Sequence, residues 1–154
     1  MAEQLDPARI LEVSRLVAAP IDLVFEMFTS ETHLDAWWGP DGFRNETHEL
    51  DFSVGGLWRY TMHGPDGKDW PNWIRYQDIL PPTRIAYEHG GEMGEPAHFD
   101  GVITLQTEGE RTKVTITLIF PSAKARDATL KFGAVDGGHQ TLARLDAYAR
   151  SRKS

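Results

Sequence analysis

The chain has 154 residues, 23 acidic and 16 basic side chains, and a formal net charge of −7 at pH 7. That length suits one ordinary domain with a real core, and the negative charge repels a phosphate backbone, which disfavours nucleic acid as a partner. With no cysteine there is no disulfide, thiolate metal site or cysteine nucleophile, a composition that suits a cytoplasmic location.

The N-terminal stretch, Met1 to Arg9, is polar and has no basic segment followed by an apolar run, so no signal peptide is expected. No segment approaches the roughly 18 apolar residues of a membrane span. The basic tail Arg150-Ser151-Arg152-Lys153 is read as cations favoured at a helix C-terminus by its dipole.

Ile10 to Val17 alternates as a strand, and Ala18-Ala19-Pro20 turns the chain. Ile21, Val24, Phe25 and Phe28 fall at i, i+3, i+4 and i+7, a helical stripe opened by Pro20. Ser30 is a candidate N-cap for a second short helix, Glu31 to Trp37. Leu34-Asp35-Ala36-Trp37-Trp38-Gly39-Pro40 follows. Adjacent residues on a helix do not share a face, so one tryptophan is expected to anchor the helix while the other lines a rim or cavity.

The period then switches to two. Strands are expected over Phe43 to Phe52, over Trp58 to His63, from Trp73 to Leu80, from Arg84 to His89, from Phe99 to Thr107 and from Lys113 to Phe120. Gly64-Pro65-Asp66-Gly67 marks a hairpin, since proline presets φ and glycine supplies φ > 0. Ser122 caps a short helix, Ala123 to Phe132, which Gly133 interrupts. A final helix carries Leu142, Leu145 and Ala149 on one stripe, with Gly137-Gly138 as a weak point. The order β-α-α, a run of strands, then a C-terminal helix argues an α+β fold with an antiparallel sheet.

Short motifs in this same order carry a resemblance. Arg15 with Ala19-Pro20 and Val24-Phe25, Leu34 with Trp37-Trp38-Gly39-Pro40, and Asp51 with Gly55-Gly56 and Trp58-Arg59 are the first three. Ile79-Leu80-Pro81-Pro82-Thr83-Arg84-Ile85, Glu110 to Thr115, and Gly138 with Leu142 and Leu145 continue it. Ser53-Val54 and His139 depart from the usual pattern. The whole chain resembles the SRPBCC (START-like, helix-grip) superfamily, in the branch named after the heat-shock-protein-90 ATPase activator. The resemblance implies a curved antiparallel sheet of about six strands wrapped around a long C-terminal helix, with two short helices after the first strand. One domain over 8–151 is expected, between flexible ends at 1–7 and 152–154. It also implies a cavity between sheet and helix that binds or transforms hydrophobic small molecules.

The cavity residues expected from this fold and from strand alternation are Trp37, Trp38, Phe52, Trp58, Tyr60, Met62, Trp73, Tyr76, Phe99, Phe120 and Phe132, with His139 at the start of the last helix. His139, Tyr60, Tyr76, Arg59 and Asp51 are the first polar groups to weigh as acid, base or ligand contacts. His89 and His98 flank a hairpin loop and read as solvent-exposed loop ends. No HExxH, GxSxG, P-loop or GxGxxG occurs, and no metal or cofactor is expected.

A small hydrophobic ligand is the expected partner, with a polyketide cyclase or aromatase-like enzyme as the alternative. A chaperone-ATPase regulatory module ranks third, because the resemblance consumes the chain and leaves no room for the separate N-terminal domain of such co-chaperones. A monomer or a homodimer is expected, the latter through an exposed edge strand such as Lys113 to Phe120.

Overall fold

A computed structural model describes residues 6–153. Asp6 accepts a hydrogen bond from the Ala8 backbone and opens a short 3-10 turn, Pro7–Arg9.

β1 (Ile10–Val17) leads into α1 (Ile21–Glu26) and α2 (Glu31–Trp37). Ser30 caps α2, its hydroxyl accepting the His33 N–H and so satisfying one donor that a helix start leaves orphaned. Six strands follow: β2 (Arg44–Leu50), β3 (Leu57–His63), β4 (Asp69–Leu80), β5 (Arg84–Gly90), β6 (Phe99–Glu108) and β7 (Arg111–Ile119). α3 (Ala123–Lys131) and α4 (Ala134–Ser151) complete the fold, separated by Gly133 in the left-handed region.

The seven strands of the described residues form one antiparallel sheet in the order β1-β7-β6-β5-β4-β3-β2, and each falls on a segment expected to be a strand. β7 is an interior strand between β1 and β6, not an edge: β1 returns to pair with it from Ile10↔Ile119 to Val17↔Thr112. The edges are β1 and β2. β4 starts earlier than the alternation suggested. Its first residues pair only with β3, which is where a strand tolerates Pro71, lacking an N–H.

Register shifts at Thr47/Glu49 and at Tyr76/Asp78 mark bulges, which bend a strand and increase its twist. Beside the second, Tyr76 exchanges backbone hydrogen bonds with Gly55 and Gly56 of the β2–β3 loop, extending the pairing on the β3 side of the strand.

The inner sheet face and the helices share one core. Val17, Val24, Met27, Leu34, Trp37, Leu142, Leu145 and Ala149 lose essentially all solvent contact. α4 crosses β1 closely at Gly138, where an added Cβ would meet Val13 Cγ2 at 3.0 Å. Below this crossing Asp146, buried on α4, accepts the Ala18 N–H at 2.9 Å and pairs with Arg15 at 3.2 Å, tying the end of β1 to the last helix. No described helix is long and apolar enough to cross a membrane.

Candidate functional site

The inward stripe of α4 changes character along its length. Leu142, Leu145 and Ala149 fill the core, whereas Ala134, Gly137, Gly138 and Thr141, one to two turns earlier, are small. Because these residues carry little or no side chain, the space between helix and sheet stays unfilled there, leaving a cleft of about 290 Å³, open to solvent. Its sheet wall is Leu11 and Val13 of β1, Ile116 and Leu118 of β7, Phe99 of β6, Tyr87 and His89 of β5, Asn72 of β4, and Tyr60 and Met62 of β3. Trp38, Gly39 and Pro40 form the roof.

The roof is fastened to α4. Arg144 donates from Nη1 to the carbonyls of Gly39 (2.8 Å) and Pro40 (2.9 Å), and Gln140 Oε1 accepts the Asp41 N–H at 3.1 Å. Gly39 has φ +100°, and an added Cβ would run into the Met62 methyl, so only glycine lets the roof sit this low.

Of the expected cavity residues, Trp38, Tyr60, Met62 and Phe99 line this cleft. Trp37 is core instead: fully buried, edge-on to Phe28 at 5.0 Å, its indole N–H donated to the Met27 carbonyl at 3.0 Å. Trp58, Tyr76 and Phe52 extend that packing. Trp58 stacks on Tyr60 at 4.0 Å and Phe52 meets Tyr76 edge-on at 5.0 Å, around a void of only about 10 Å³ that Trp58 and Tyr76 help to line. Phe120 is buried behind Phe99.

Three expectations fail outright. Trp73 has the opposite strand parity to Asn72, Ile74 and Tyr76, and lies across Gly90 on the other sheet face, where a Cβ would strike its ring. Phe132 follows α3 with 91% of its surface exposed, because the chain turns at Gly133 before α4 reaches the cleft. His139 projects to solvent, since its helical neighbours Gly138 and Thr141 occupy the inward face. Among the polar groups weighed with it, Arg59 pairs with Glu49 on the outer face and Asp51 caps the Ser53 turn, so only Tyr60 reaches the cleft.

His89 reverses its expected place. It is the last inward-facing residue of β5, sharing alternation with Ile85 and Tyr87, and its ring stacks on Phe99 at 4.7 Å and 14°. Trp38 donates its indole N–H to the Tyr60 hydroxyl at 3.1 Å, and that hydroxyl lies 3.4 Å from His89 Nε2. His89 Nδ1 is out of solvent contact and has no partner. Burial pushes the His89 imidazole down to about 3, with the nearby His98 adding to the effect, so the ring is neutral. Burial raises the Tyr60 hydroxyl far above its ordinary range, so it keeps its proton. Strand alternation alone carried the signal for Tyr87 and His89, and proximity to the Gly-rich loop hid it.

A pH dependence follows. His89 stays neutral in the folded chain while the unfolded imidazole takes up a proton below about pH 6.5, so stability falls on acidification between about 6.5 and 3. From pH 7 to pH 5 the loss is about 2 kcal/mol. Tyr60 and His98 are the titratable groups beside this ring. Urea titrations at the two pH values, run on wild type and His89→Phe, measure it as the part of the acid loss that the variant lacks. An identical acid loss in both proteins contradicts the assignment. His63 acts in a separate window: Glu46 and then Asp69 hold its imidazole above the usual range, so its contribution is present below about pH 6.5 and fades as pH rises.

An open antiparallel sheet on one long C-terminal helix, with an apolar cleft between them, defines a START-like helix-grip protein. The chain belongs to the Activator of Hsp90 ATPase homolog 1-like family, whose sequence profile matches residues 18–150.

Solved structures share the fold. A protein from Arthrobacter aurescens superposes with TM-score 0.86 at 23% identity, covering 96% of this chain and 89% of its own. Protein NE0264 from Nitrosomonas europaea gives TM-score 0.86 at 21% identity over 96% and 97% of the two chains. The AHSA1 protein SPO3351 from Silicibacter pomeroyi gives 0.72 at 16% identity over 94% and 99%. No curated protein matches the chain.

Proposed function

We propose that this protein binds a small, mostly apolar molecule in the cleft between the sheet and α4. The cleft itself carries the reading: about 290 Å³ of apolar-walled space, open on one side and roofed by a loop pinned to the helix beneath. Burying an apolar molecule there releases about 25 cal/mol per Å² of apolar surface, less the cost of immobilising it. Membership of a START-like family agrees with this reading.

Gly137→Leu tests it. A Cβ at Gly137 meets only Pro40, at 3.7 Å, so the new side chain enters the cleft without displacing backbone. The variant keeps its fold by circular dichroism and binds naphthalene at least about tenfold more weakly than wild type by calorimetry. Equal affinities would place binding elsewhere and refute the cleft as the site.

A second reading, a cofactor-independent enzyme of the polyketide cyclase or aromatase kind, draws support from the Tyr60–His89 pair. A neutral imidazole beside a phenol in an apolar-walled cleft is a recognised arrangement for proton transfer. The chaperone-regulatory reading rests on the family's name alone.

A further inference from the structure

We propose that Asn72 is the polar selector of the cleft, its Oδ1 accepting a hydrogen bond from the hydroxyl of an uncharged, otherwise apolar ligand. The proposal rests on the cleft-binding reading above and names the class of molecule.

β4 places this side chain. Alternate residues of a strand share a face, and along the inward face of β4 exposure falls from 51% at Trp70 to 9% at Asn72 and 2% at Ile74. Asn72 therefore stands where the sheet wall passes from solvent to core, beside Tyr60, its partner on β3. Its amide donates to the Trp70 carbonyl at 2.9 Å. A carbonyl only accepts, so the amide atom facing it is Nδ2 and the atom left over is Oδ1. No donor of the described residues reaches that oxygen. Among the described residues the side-chain polar atoms both sealed from solvent and unpartnered are Asn45 Oδ1 and His89 Nδ1. Asn72 Oδ1 is unpartnered but not sealed, on a residue that lines the cleft.

In the free protein solvent serves this oxygen. A ligand that fills the cleft displaces that solvent, and the acceptor then goes unpaired unless the ligand brings a donor. Thr141 asks for the same thing: Oγ1 spends its hydrogen on the Gly137 carbonyl at 2.9 Å and keeps only lone pairs. The Tyr60 hydroxyl is held between Trp38 Nε1 and His89 Nε2. The second hydrogen of the Asn72 amide is a donor on the same group, so a hydroxyl, which gives and takes, matches it better than an ether, which only takes. Among the described residues no aspartate, glutamate, lysine or arginine lines the cleft. A carboxylate or ammonium there has no counter-charge, and burying an unpaired charge is far more costly than burying a hydroxyl. The cleft therefore selects a phenol or alcohol on an apolar skeleton over the ether or the acid of that skeleton.

Four probes of one skeleton test this by calorimetry at pH 7: naphthalene, 2-naphthol, 2-methoxynaphthalene and 2-naphthoate. Wild type is expected to bind the naphthol about fivefold more tightly than the ether, and the carboxylate more weakly than the naphthol. In Asn72→Leu, similar in size but without an acceptor, the preference for naphthol over ether disappears while naphthalene binding is retained. Asn72→Asp, which keeps an acceptor oxygen, keeps part of the preference.

The Asn72 side-chain amide of wild type, assigned in ¹H–¹⁵N spectra by the signal pair missing from Asn72→Leu, supplies a readout independent of the variants' stability. It is expected to shift more on adding the naphthol than on adding the ether. A naphthol preference that survives in Asn72→Leu, naphthoate binding as tightly as the naphthol, or an amide that ignores the naphthol would each overturn the proposal, with naphthalene binding left to support the cleft. If none of the four probes binds wild type, the cleft reading falls and this proposal with it.

Discussion

Replacing Trp37 by alanine destabilises the protein by about 3–5 kcal/mol, the range for deleting a large buried aromatic. The site cannot collapse to recover the loss. The indole is fully buried between Phe28 and Trp38, with ring centroids at 5.0 and 5.5 Å, and these neighbours are fixed by α1 and by the roof of the cleft. Its N–H also satisfies the Met27 carbonyl at the end of α1, which the variant leaves without that partner. Trp38→Ala makes the contrast. Trp38 faces the cleft, so its removal enlarges an existing space and costs less, while cutting the hydrogen bond to Tyr60. Equilibrium urea unfolding of the two variants measures the difference. Equal losses would contradict the division of labour between the two tryptophans.

Asp146→Ala is the second large effect, about 3 kcal/mol. The carboxylate is 7% exposed and serves the Ala18 N–H, Arg15 and, at 3.6 Å, Arg150. Alanine leaves a backbone donor at the end of β1 unpaired and strips Arg15 of its partner. For a chain of this length the loss lowers Tm by about 6–12 °C. Asp146→Asn keeps an oxygen for Ala18 and recovers part of it. Because Arg15 is half-exposed and screened by solvent, most of the effect belongs to the backbone contact, so Arg15→Ala is expected to be much milder than Asp146→Ala. Thermal unfolding of the three variants tests that order, and an Arg15→Ala loss equal to that of Asp146→Ala would reverse the assignment.

Much of the fold was readable because short-range chemistry wrote it. The apolar stripe of α1, the serine caps of α2 and α3, the period-two runs of the strands and the glycine that separates α3 from α4 are each local patterns with local causes. The site was less readable. Alternation put Trp58, Tyr60 and Met62 on one sheet face, but the sequence has no mark for where that face is packed and where it is open. Trp58 ends in the core and Met62 in the cleft, four residues apart on the same strand.

Gly137-Gly138 shows the limit most clearly. Read along the chain, the pair is a weak point in a helix. Once α4 lies across β1, its lack of side chains is what leaves room beneath Trp38 and Pro40.

The sequence by itself determined the order and type of the elements, the α+β class, the family resemblance and the split roles of two adjacent tryptophans, because these depend on periodicity, capping and facing within one element. Only the tertiary structure decided that β7 is interior, that Trp73 turns away while His89 turns in, and that Phe132 and His139 stay in water. Those outcomes depend on which strand pairs with which and where one helix crosses the sheet. Pairing and crossing are settled by burial summed over the whole core, where contacts between residues far apart in sequence outweigh any local preference.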